Sequence, residues 1–438
     1  MTPRPSRPSL GRVKAAWIGL LTVTLSAATI LAAPQESDSS QPLGDRETQE
    51  TAAMRESTFR ELAKAQEAAE ASNFTLATQI LEKLRSQELN SYEQAQVLNL
   101  FAYIHYSQNR MAQAMASYEQ LLALPNLPGA LTTSTLYTLA QLYFSQEQWQ
   151  KSVDTLRRWF DLTPEPPRQA YEMMCQAYYQ QEKYRHALPH AIRVVELTQK
   201  SGEAASENAY LMLRVLYYEL KDFPKVVATL HELIKRWPKK QYWMQLASLY
   251  GEMEDQKRQL ATLELAYLQG YLDREADLLS LVSLLLNNEV YLRAGKILET
   301  GLRDGAISST LDNWRLLAQA WTLAREYERA IPALARASEL SPDGKVDVLL
   351  AQAYSYVGRW PESVTAARSA LRRGGLGRPD QVQVMLGQAL FELGEYDEAK
   401  AAFLAAQADR RSREVAAGWL SYIDSEQERQ AQLKAALE

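Results

Sequence analysis

Apolar residues recur along this chain at helical spacing, and one sequence motif is repeated several times. The string LGQALFELGEYDEAKAAFLAA at 386–406 has counterparts in LAQAWTLAREYERAIPALARA at 317–337 and LAQLYFSQEQWQKSVDTLRRW at 139–159. In each string apolar residues fall three or four positions apart, which places them on one face of an α-helix. The pattern predicts pairs of amphipathic helices repeated along the chain.

Small residues occupy fixed places within these strings. In the last string Gly387 lies in the first helix and Ala399 in the second, with Tyr396 where the second helix begins. Two helices cross closely at such positions, because a large side chain would force them apart. Pro164 and Pro342 follow second helices and end them, since proline donates no backbone hydrogen bond. This is the spacing of the tetratricopeptide repeat (TPR), an antiparallel helix pair with a period of about 34 residues.

About ten such units follow one another after residue 55. The small or apolar landmark of each second helix is, in chain order, Ala77, Ala114, Ser152, Ala187, Val226, Gln259, Ala294, Ala330, Ser363 and Ala399. Successive landmarks are 33 to 39 residues apart, and the longer intervals contain inserted loops at 124–131 and 198–208. The units around Gln259 and Ala294 match the pattern least well.

The repeats predict an all-α fold, a right-handed superhelical TPR solenoid of about ten helix-turn-helix units over residues 55–411. The segment 412–438 has Trp419, Tyr422 and Ile423 to pack on the last pair, and its remainder is charged. It fits the polar capping helix that covers the open end of a solenoid. Residues 34–54 are polar and acidic and predict a flexible linker.

The N-terminus combines basic residues with an uncharged apolar run. Residues 1–14 contain four basic residues and no acid, and the run from Ala15 to Ala33 ends on small residues. Basic, apolar and small segments in this order are typical of a secretory signal. A cleaved signal peptide and an uncleaved anchor in the inner membrane both stay open. Leu31 and Pro34 make a poor cleavage site, and the run is near the minimum length for spanning a bilayer.

The composition and the candidate residues do not point to a catalytic, metal-binding or nucleic-acid-binding site. It is globular, with 46% hydrophobic and 23% charged residues, and the formal charge of −5 does not favour nucleic-acid binding. Cys175 is predicted to be a buried core residue. His186 and His190 share a helical face but have no third ligand nearby in the sequence. The glycines of RRGGLGRP at 372–379 follow a helix and not a strand, which predicts a helix stop. We therefore expect no catalysis, no cofactor and no metal.

The candidate site is a surface. In a TPR solenoid the first helices line the concave side, and their outward positions can be counted back from the landmarks. These positions carry an aromatic and amide stripe over units two to five, with Asn99, Tyr103, Tyr106, Tyr137, Gln141, Phe144, Glu172, Gln176, Tyr179 and Tyr218. Rigid rings are good anchors for an extended peptide or a partner helix, which predicts a partner-binding groove. The alternative is that individual rings pack between neighbouring units.

Four stretches are distinctive beyond the repeat consensus. They are STLYTLAQLYFSQEQWQKSVDTLRRWF at 134–160, the segment 213–252, LELAYLQGYL at 263–272 and WLSYIDSEQERQAQL at 419–433. Together they resemble the periplasmic TPR proteins encoded beside ExbB, ExbD and TonB in gamma-proteobacteria. The resemblance extends from about residue 54 through the terminal cap.

The resemblance implies an accessory role in TonB-dependent energy transduction and in the uptake of iron or other nutrients. We expect a non-enzymatic periplasmic scaffold whose partners are proteins or peptides, such as TonB, ExbD or an outer-membrane receptor. No nucleic acid is expected to bind, and the membrane is contacted only through an uncleaved N-terminal segment. The alternative is an envelope assembly factor for cell-wall or outer-membrane biogenesis proteins.

Overall fold

The computed structural model describes residues 53–200 and 206–437, and within these ranges the chain has helices and no strand. In chain order the helices are α1 (Glu56–Glu70), α2 (Phe74–Arg85), α3 (Ser91–Ser107), α4 (Met111–Leu122), α5 (Gly129–Ser145), α6 (Trp149–Leu162), α7 (Arg168–Gln180), α8 (Tyr184–Lys200), α9 (Glu207–Glu219), α10 (Phe223–Arg236), α11 (Lys240–Glu252), α12 (Gln256–Leu268), α13 (Glu275–Asn287), α14 (Tyr291–Asp304), α15 (Leu311–Leu323), α16 (Tyr327–Leu340), α17 (Lys345–Tyr356), α18 (Trp360–Arg373), α19 (Pro379–Glu392), α20 (Tyr396–Gln407) and α21 (Arg413–Leu437). The first twenty form ten pairs and α21 follows them, so the expected all-α repeat fold is confirmed.

The predicted landmarks explain why the paired helices approach closely. Nine of the ten are buried, and eight of those nine are alanine or serine. Their short side chains let the two helices approach closely. The two serines also satisfy their hydroxyls against the partner helix. Ser152 Oγ donates to the Ala140 carbonyl at 2.9 Å, and Ser363 Oγ donates to the Ala351 carbonyl at 3.0 Å.

The exception is Gln259, which the sequence already marked as a weak match. Its side chain is half-buried at the landmark position of α12. Space for it comes from α11, where a Cβ atom on Gly251 would lie 2.8 Å from the Gln259 amide nitrogen. The glycine removes the side chain that would otherwise collide, so the pair keeps its packing with the large residue on the other helix.

The turn inside each pair contains one residue in the left-handed region, five positions before the landmark. In the last two repeats it is Gly358 or Gly394. The other eight repeats place a residue with a side chain there, with φ between 56° and 62°: Ser72, Asn109, Glu147, Glu182, Lys221, Glu254, Glu289 and Arg325. The left-handed conformation is costly for such residues, so the packing of the two helices imposes the turn.

The described residues divide into two compact units, with the boundary in the sequence between Trp237 and Pro238, and each unit has its own core. The first unit, as far as the structure describes it, contains α1–α10. Its core is built from small clusters such as the one around Met173, Met174 and Cys175. The second contains α11–α21, with one cluster around Trp321 and another around Phe403.

The C-terminal helix α21 covers the last repeat as expected. Ile423 is fully buried, and the Trp419 ring stacks on Phe403 with a centroid separation of 5.5 Å. Lys400 of α20 pairs with Asp424 at 2.6 Å. The Gly-containing segment after α18 is a helix stop, because α18 ends at Arg373 and Gly374 has a φ of 70°.

The loop expected at 124–131 is shorter than the sequence suggests, since α5 already begins at Gly129. The N-terminal signal or anchor at 1–33 and nearly all of the linker at 34–54 lie outside the described residues. Among those that are described, no helix combines the length and apolarity that a membrane span needs.

Candidate interaction faces

The ten residues predicted to form a groove all lie on first helices of the first unit. They are distributed over α3, α5, α7 and α9, and nine are half-buried while Glu172 is exposed. None belongs to the fully buried core. The structure therefore places each of them where one part of the side chain packs and another part meets solvent.

The rings at the ends of the first helices are held by the second helix of the same repeat. Phe144 packs edge-on against Trp149 with centroids 5.1 Å apart, and Tyr179 packs against Tyr184 at 5.5 Å. Tyr218 has Phe223 as its neighbour at 6.1 Å. These contacts are within repeats and not between neighbouring units. Each ring is thus held on one side by the aromatic residue that begins the second helix of its repeat.

Tyr137 occupies a more enclosed position. Its ring lies 4.7 Å from that of Trp159 on α6, and together with Gln141 it lines an open depression of about 600 Å³. The remaining lining is mostly hydroxyl-bearing, with Thr133 and Thr138 among it. The depression can therefore offer hydrogen bonds beside an aromatic floor.

Electrostatics connect α5 with α7 on this face. Burial raises the pKa of Tyr137, and the nearby carboxylate of Glu172 raises it further. Although Glu172 is exposed overall, neighbouring side chains partly desolvate its carboxyl group and raise its pKa, against the opposing effect of Arg168, whose Nε lies 3.2 Å from the carboxylate. Tyr137 is thus a neutral phenol at physiological pH and available as a hydrogen-bond donor. Tyr103 and Tyr106, on α3, pack against two different core clusters.

A second face, in the second unit, was not among the predicted residues. A depression of about 490 Å³ lies along α15 and α17, where large apolar side chains are exposed. Leu323 is 45% exposed, Leu349 46% and Tyr356 58%. Tyr356 stacks on Tyr327 with centroids 4.5 Å apart. The spacing of units two to five, counted back from Ala330 and Ser363, gives Arg315, Gln319, Thr322 and Gln352 of this face, but not the exposed Leu323, Leu349 and Tyr356.

His186, His190 and Cys175 are packed against other side chains of the core. His186 and His190 both stack on the ring of Tyr178, with centroids 5.5 and 5.7 Å away. Burial lowers the pKa of His190. Cys175 is buried as expected, and burial raises the pKa of its thiol to about 12. No group of three potential metal ligands occurs among the residues that the structure describes.

Comparison with known proteins gives a repeat class. A sequence profile of the tetratricopeptide repeat matches residues 62–130 and 348–417. A search of curated proteins finds no significant match.

Solved structures of helical-repeat proteins align with the chain at low identity. A tetratricopeptide repeat protein from Parabacteroides merdae is 17% identical, with a TM-score of 0.33 over 68% of this chain and 99% of that one. Naa15/Naa10 bound to HypK-THB is 13% identical, with a TM-score of 0.42 over 82% of this chain and 65% of that one. The TPR2AB domain of yeast Sti1, in a complex with pHSP90, is 13% identical with a TM-score of 0.31, over 62% of this chain and 99% of that one. The two matched segments lie one in each unit, and the chain is thereby shown to carry tetratricopeptide repeats, the class of repeat typical of protein-interaction scaffolds.

Proposed function

We propose that the chain is a non-enzymatic scaffold that binds an extended segment of another protein along the first helices of its first unit. The observation that carries the proposal is the row of half-buried rings on α3, α5, α7 and α9. Aromatic side chains supply large contact area with few torsions to immobilise. An extended segment crossing successive helices would meet one or two of these rings in every repeat.

The packing of the rings favours binding further. A side chain loses rotamer freedom when a partner immobilises it, and that loss reduces affinity. Phe144 and Tyr179 are already held by Trp149 and Tyr184 in the free protein. Both rings are therefore already ordered in the free protein. A partner that contacts their exposed edges then causes little further loss of side-chain entropy.

The finer proposal is a periplasmic adaptor of the TonB system. Its support is the resemblance of 134–160, 213–252, 263–272 and 419–433 to the TPR proteins encoded beside ExbB, ExbD and TonB. The basic and apolar N-terminal pattern supports export. The partner would be an extended segment of TonB, ExbD or an outer-membrane receptor. Envelope assembly is the alternative, and the same face would serve it.

The experiment compares two triple variants in the full chain. Tyr103, Tyr137 and Tyr179 are all replaced by Ala in one variant and by Phe in the other. We expect both to keep wild-type helicity by circular dichroism, because the three side chains are only half-buried. The Ala variant should lose at least tenfold in capture of Ton components from envelope extracts, an estimate of roughly one hot-spot residue's contribution. The Phe variant should retain most of it.

Equal capture by both variants would show that the rings do not form the binding face. Absence of TonB, ExbB, ExbD and receptors from material bound to the wild-type chain would exclude the finer proposal. A deletion strain then separates the two roles. Poor growth on iron-chelated medium supports nutrient uptake, whereas lysis or chaining of cells supports envelope assembly.

A further inference from the structure

Helix α21 extends past the repeat that it covers. It has 25 residues, whereas α20 has 12. Lys400 of α20 donates to Gln427 at 2.7 Å, and Gln430 donates to the Tyr396 hydroxyl at 2.8 Å, where α20 begins. Residues 431–433 follow these contacts and are exposed. The C-terminal part of α21 is therefore available for contact with another molecule.

Three large apolar side chains lie along one face of α21. Val415 is 53% exposed, Tyr422 54% and Leu433 50%. Successive residues of an α-helix turn by about 100°, so these three positions lie within about 20° of one another around the helix axis. The side that packs on the last repeat is formed by other residues, among them the buried Ile423. A row of exposed apolar groups, unlike scattered single ones, is typical of an interaction surface.

Gly418 lies on the same side of α21, one turn before Tyr422, and its described surroundings do not require a glycine. The other glycines inside the described helices leave room for a neighbouring side chain that comes within 2.8 Å of a Cβ position, and they are Gly251, Gly295, Gly301 and Gly387. Apart from the backbone of α21 itself, no described atom lies within 4 Å of a Cβ atom on Gly418. Glycine inside a helix lowers stability relative to alanine. The unfilled space at Gly418 therefore fits a helix that approaches from outside.

The same face carries one ion pair, located between Tyr422 and Leu433. Arg429 Nη2 lies 2.6 Å from Glu426 Oε1, and 61% of the Arg429 side chain is exposed. From its N-terminal to its C-terminal end the face therefore presents an apolar group, an aromatic ring, a guanidinium and a second apolar group. This order is complementary to itself when it is read in the opposite direction.

Two antiparallel copies of α21 bring unlike parts of this face together. Val415 then lies opposite Leu433 of the second copy, apolar against apolar. Arg429 of one copy lies over Gly418 of the other, and its guanidinium reaches the Tyr422 ring, whose face attracts a cation. A parallel pair would instead place two Arg429 side chains opposite each other, and like charges repel. The antiparallel arrangement is therefore the one that the face favours.

We propose that the chain forms a dimer in which α21 of one copy pairs antiparallel with α21 of a second copy. The dimer goes beyond the scaffold function, because none of its contact residues belongs to the predicted partner-binding groove. It presents two first-unit faces to a partner with two binding segments, which raises the overall affinity without a new contact. One helix face is smaller than the roughly 800 Å² that each side of a stable interface buries. We therefore expect association in the micromolar range.

Sedimentation velocity of the full chain, over about a hundredfold range of micromolar concentrations, measures the association. The wild-type chain should shift from monomer to dimer as its concentration rises. Val415→Glu and Leu433→Lys each place a charge against an apolar group and should weaken association about tenfold. In the double variant the two new charges have opposite signs and face each other across the interface, so association should be restored in part. Circular dichroism should show native helicity for every variant, because both positions are half exposed.

Cysteine cross-linking tests the antiparallel register. Val415→Cys chains mixed with Leu433→Cys chains should form a disulfide-linked heterodimer under mild oxidation. Neither variant should cross-link to itself, because equivalent positions of the antiparallel pair lie about 27 Å apart at 1.5 Å per residue, too far for a disulfide. The native Cys175 is buried and does not interfere.

Substitution of Gly418 separates the interface from the fold of the monomer. Gly418→Leu fills the space at the contact and should weaken association about tenfold. The melting temperature of the dilute chain should stay equal or rise, because leucine favours a helix more than glycine does. Ala417→Leu is the control, since Ala417 is also exposed but lies on another side of α21. It should leave association unchanged.

Three results would overturn the inference. They are a wild-type chain that stays monomeric at every concentration, a dimer that Val415→Glu and Gly418→Leu leave intact, and Val415→Cys chains that cross-link to themselves. The tyrosine variants of the first unit should dimerise like the wild-type chain. Loss of partner capture without loss of dimerisation, or the reverse, therefore distinguishes failure of this inference from failure of the scaffold proposal.

Discussion

The two units use one helix-pair plan and present different chemistry on their first helices. In the first unit the face carries aromatic rings together with amides such as Gln141, and rings such as Phe144 and Tyr179 lean on the aromatic residue that begins the second helix. In the second unit Gln319, Gln352 and exposed leucines form the face. Positions between helices must be small or apolar because they set the crossing distance, whereas face positions carry no such restriction. The comparison shows how one repeat can provide two unlike surfaces.

The junctions between repeats differ as well. Among the described residues the first unit buries one carboxylate, Glu93, and the second buries three, Asp277, Asp347 and Asp380. Each receives hydrogen bonds from residues distant in sequence or in the next repeat. Lys240 Nζ of α11, for example, lies 2.8 Å from Asp277 of α13, and Ser412 Oγ donates to Asp380 at 2.6 Å. The second unit therefore depends more on ionised side chains for its stacking.

The largest expected effect is on the core of the second unit. Trp321 is fully buried, and a Cβ atom on Gly295 would lie 2.8 Å from its ring, so the glycine makes room for the indole. Trp321→Ala should lower the free energy of unfolding by about 3–5 kcal/mol. Hydrogen exchange followed by mass spectrometry should show faster exchange in α13–α16. The half-buried Trp314→Ala serves as control, and an equal loss in both variants would contradict the packing argument.

Acid should destabilise the second unit more than the first. Burial alone would raise the pKa of Glu93, but hydrogen bonds from Arg55 and the Asn90 backbone lower it to about 2. Hydrogen bonds from Arg274 and Arg378 lower the pKa values of Asp277 and Asp380. A carboxyl whose pKa is depressed in the folded state stabilises it above its unfolded pKa, and this contribution is lost as pH falls through the folded value.

The stabilisation should therefore decline from about pH 5 downward. Thermal unfolding at pH 7, 5, 4 and 3, combined with hydrogen exchange, measures it in each unit. The Asp277→Asn, Asp380→Asn double variant should be less stable at pH 7 and show a flatter pH dependence. A wild-type chain in which both units lose protection in parallel would show that the number of buried carboxylates does not distinguish them.

Substitutions in the turns should change the free energy of unfolding less, and with opposite sign in the two units. Glu147 has a φ of 56° in the turn before α6, where glycine would be unstrained. Glu147→Gly should stabilise the first unit or leave it unchanged, although glycine elsewhere in a helix is destabilising. Gly394→Glu, at the equivalent position of the last repeat, should destabilise by about 1 kcal/mol. Urea unfolding curves measure both changes, and a destabilising Glu147→Gly would mean that its side chain makes a contact worth more than the strain.

The smallest effect on stability is expected on the exposed face of the second unit. Leu349→Ser removes an apolar group that is nearly half exposed, and surface changes of this kind stay within about 0.5 kcal/mol. The melting temperature should hardly change. A clear loss of stability would show that Leu349 belongs to the core and not to a binding face.

Much of the fold could be read from local spacing. The landmarks, counted without any contact information, fall on ten second helices. The weak match at Gln259 lies in the pair where Gly251 of the first helix leaves room for the larger side chain. Tyr137 and Gln141, which the spacing places on one side of α5, line one depression together. Applying that count to residues 311–392 would have placed Gln319 and Gln352 beside each other as well.

Other features gave no sequence signal. Glutamate, lysine and arginine rarely predict a left-handed turn, yet Glu147, Lys221 and Arg325 adopt it. The buried state of Asp277 also could not be inferred, because one of its partners, Lys240, lies in the previous repeat. Aspartate at the start of a helix is ordinarily exposed, and only the stacking of repeats encloses it.

The sequence by itself determined that the chain forms helix pairs, where the second helix of each pair lies and which residue allows its two helices to cross. Those properties depend on neighbours within about four positions along a helix, where periodicity acts directly. Only the tertiary structure decided which face residues remain accessible, which turns are strained and which carboxylates are enclosed. Each of these depends on atoms brought together from different helices, and their proximity exists only after the repeats have stacked.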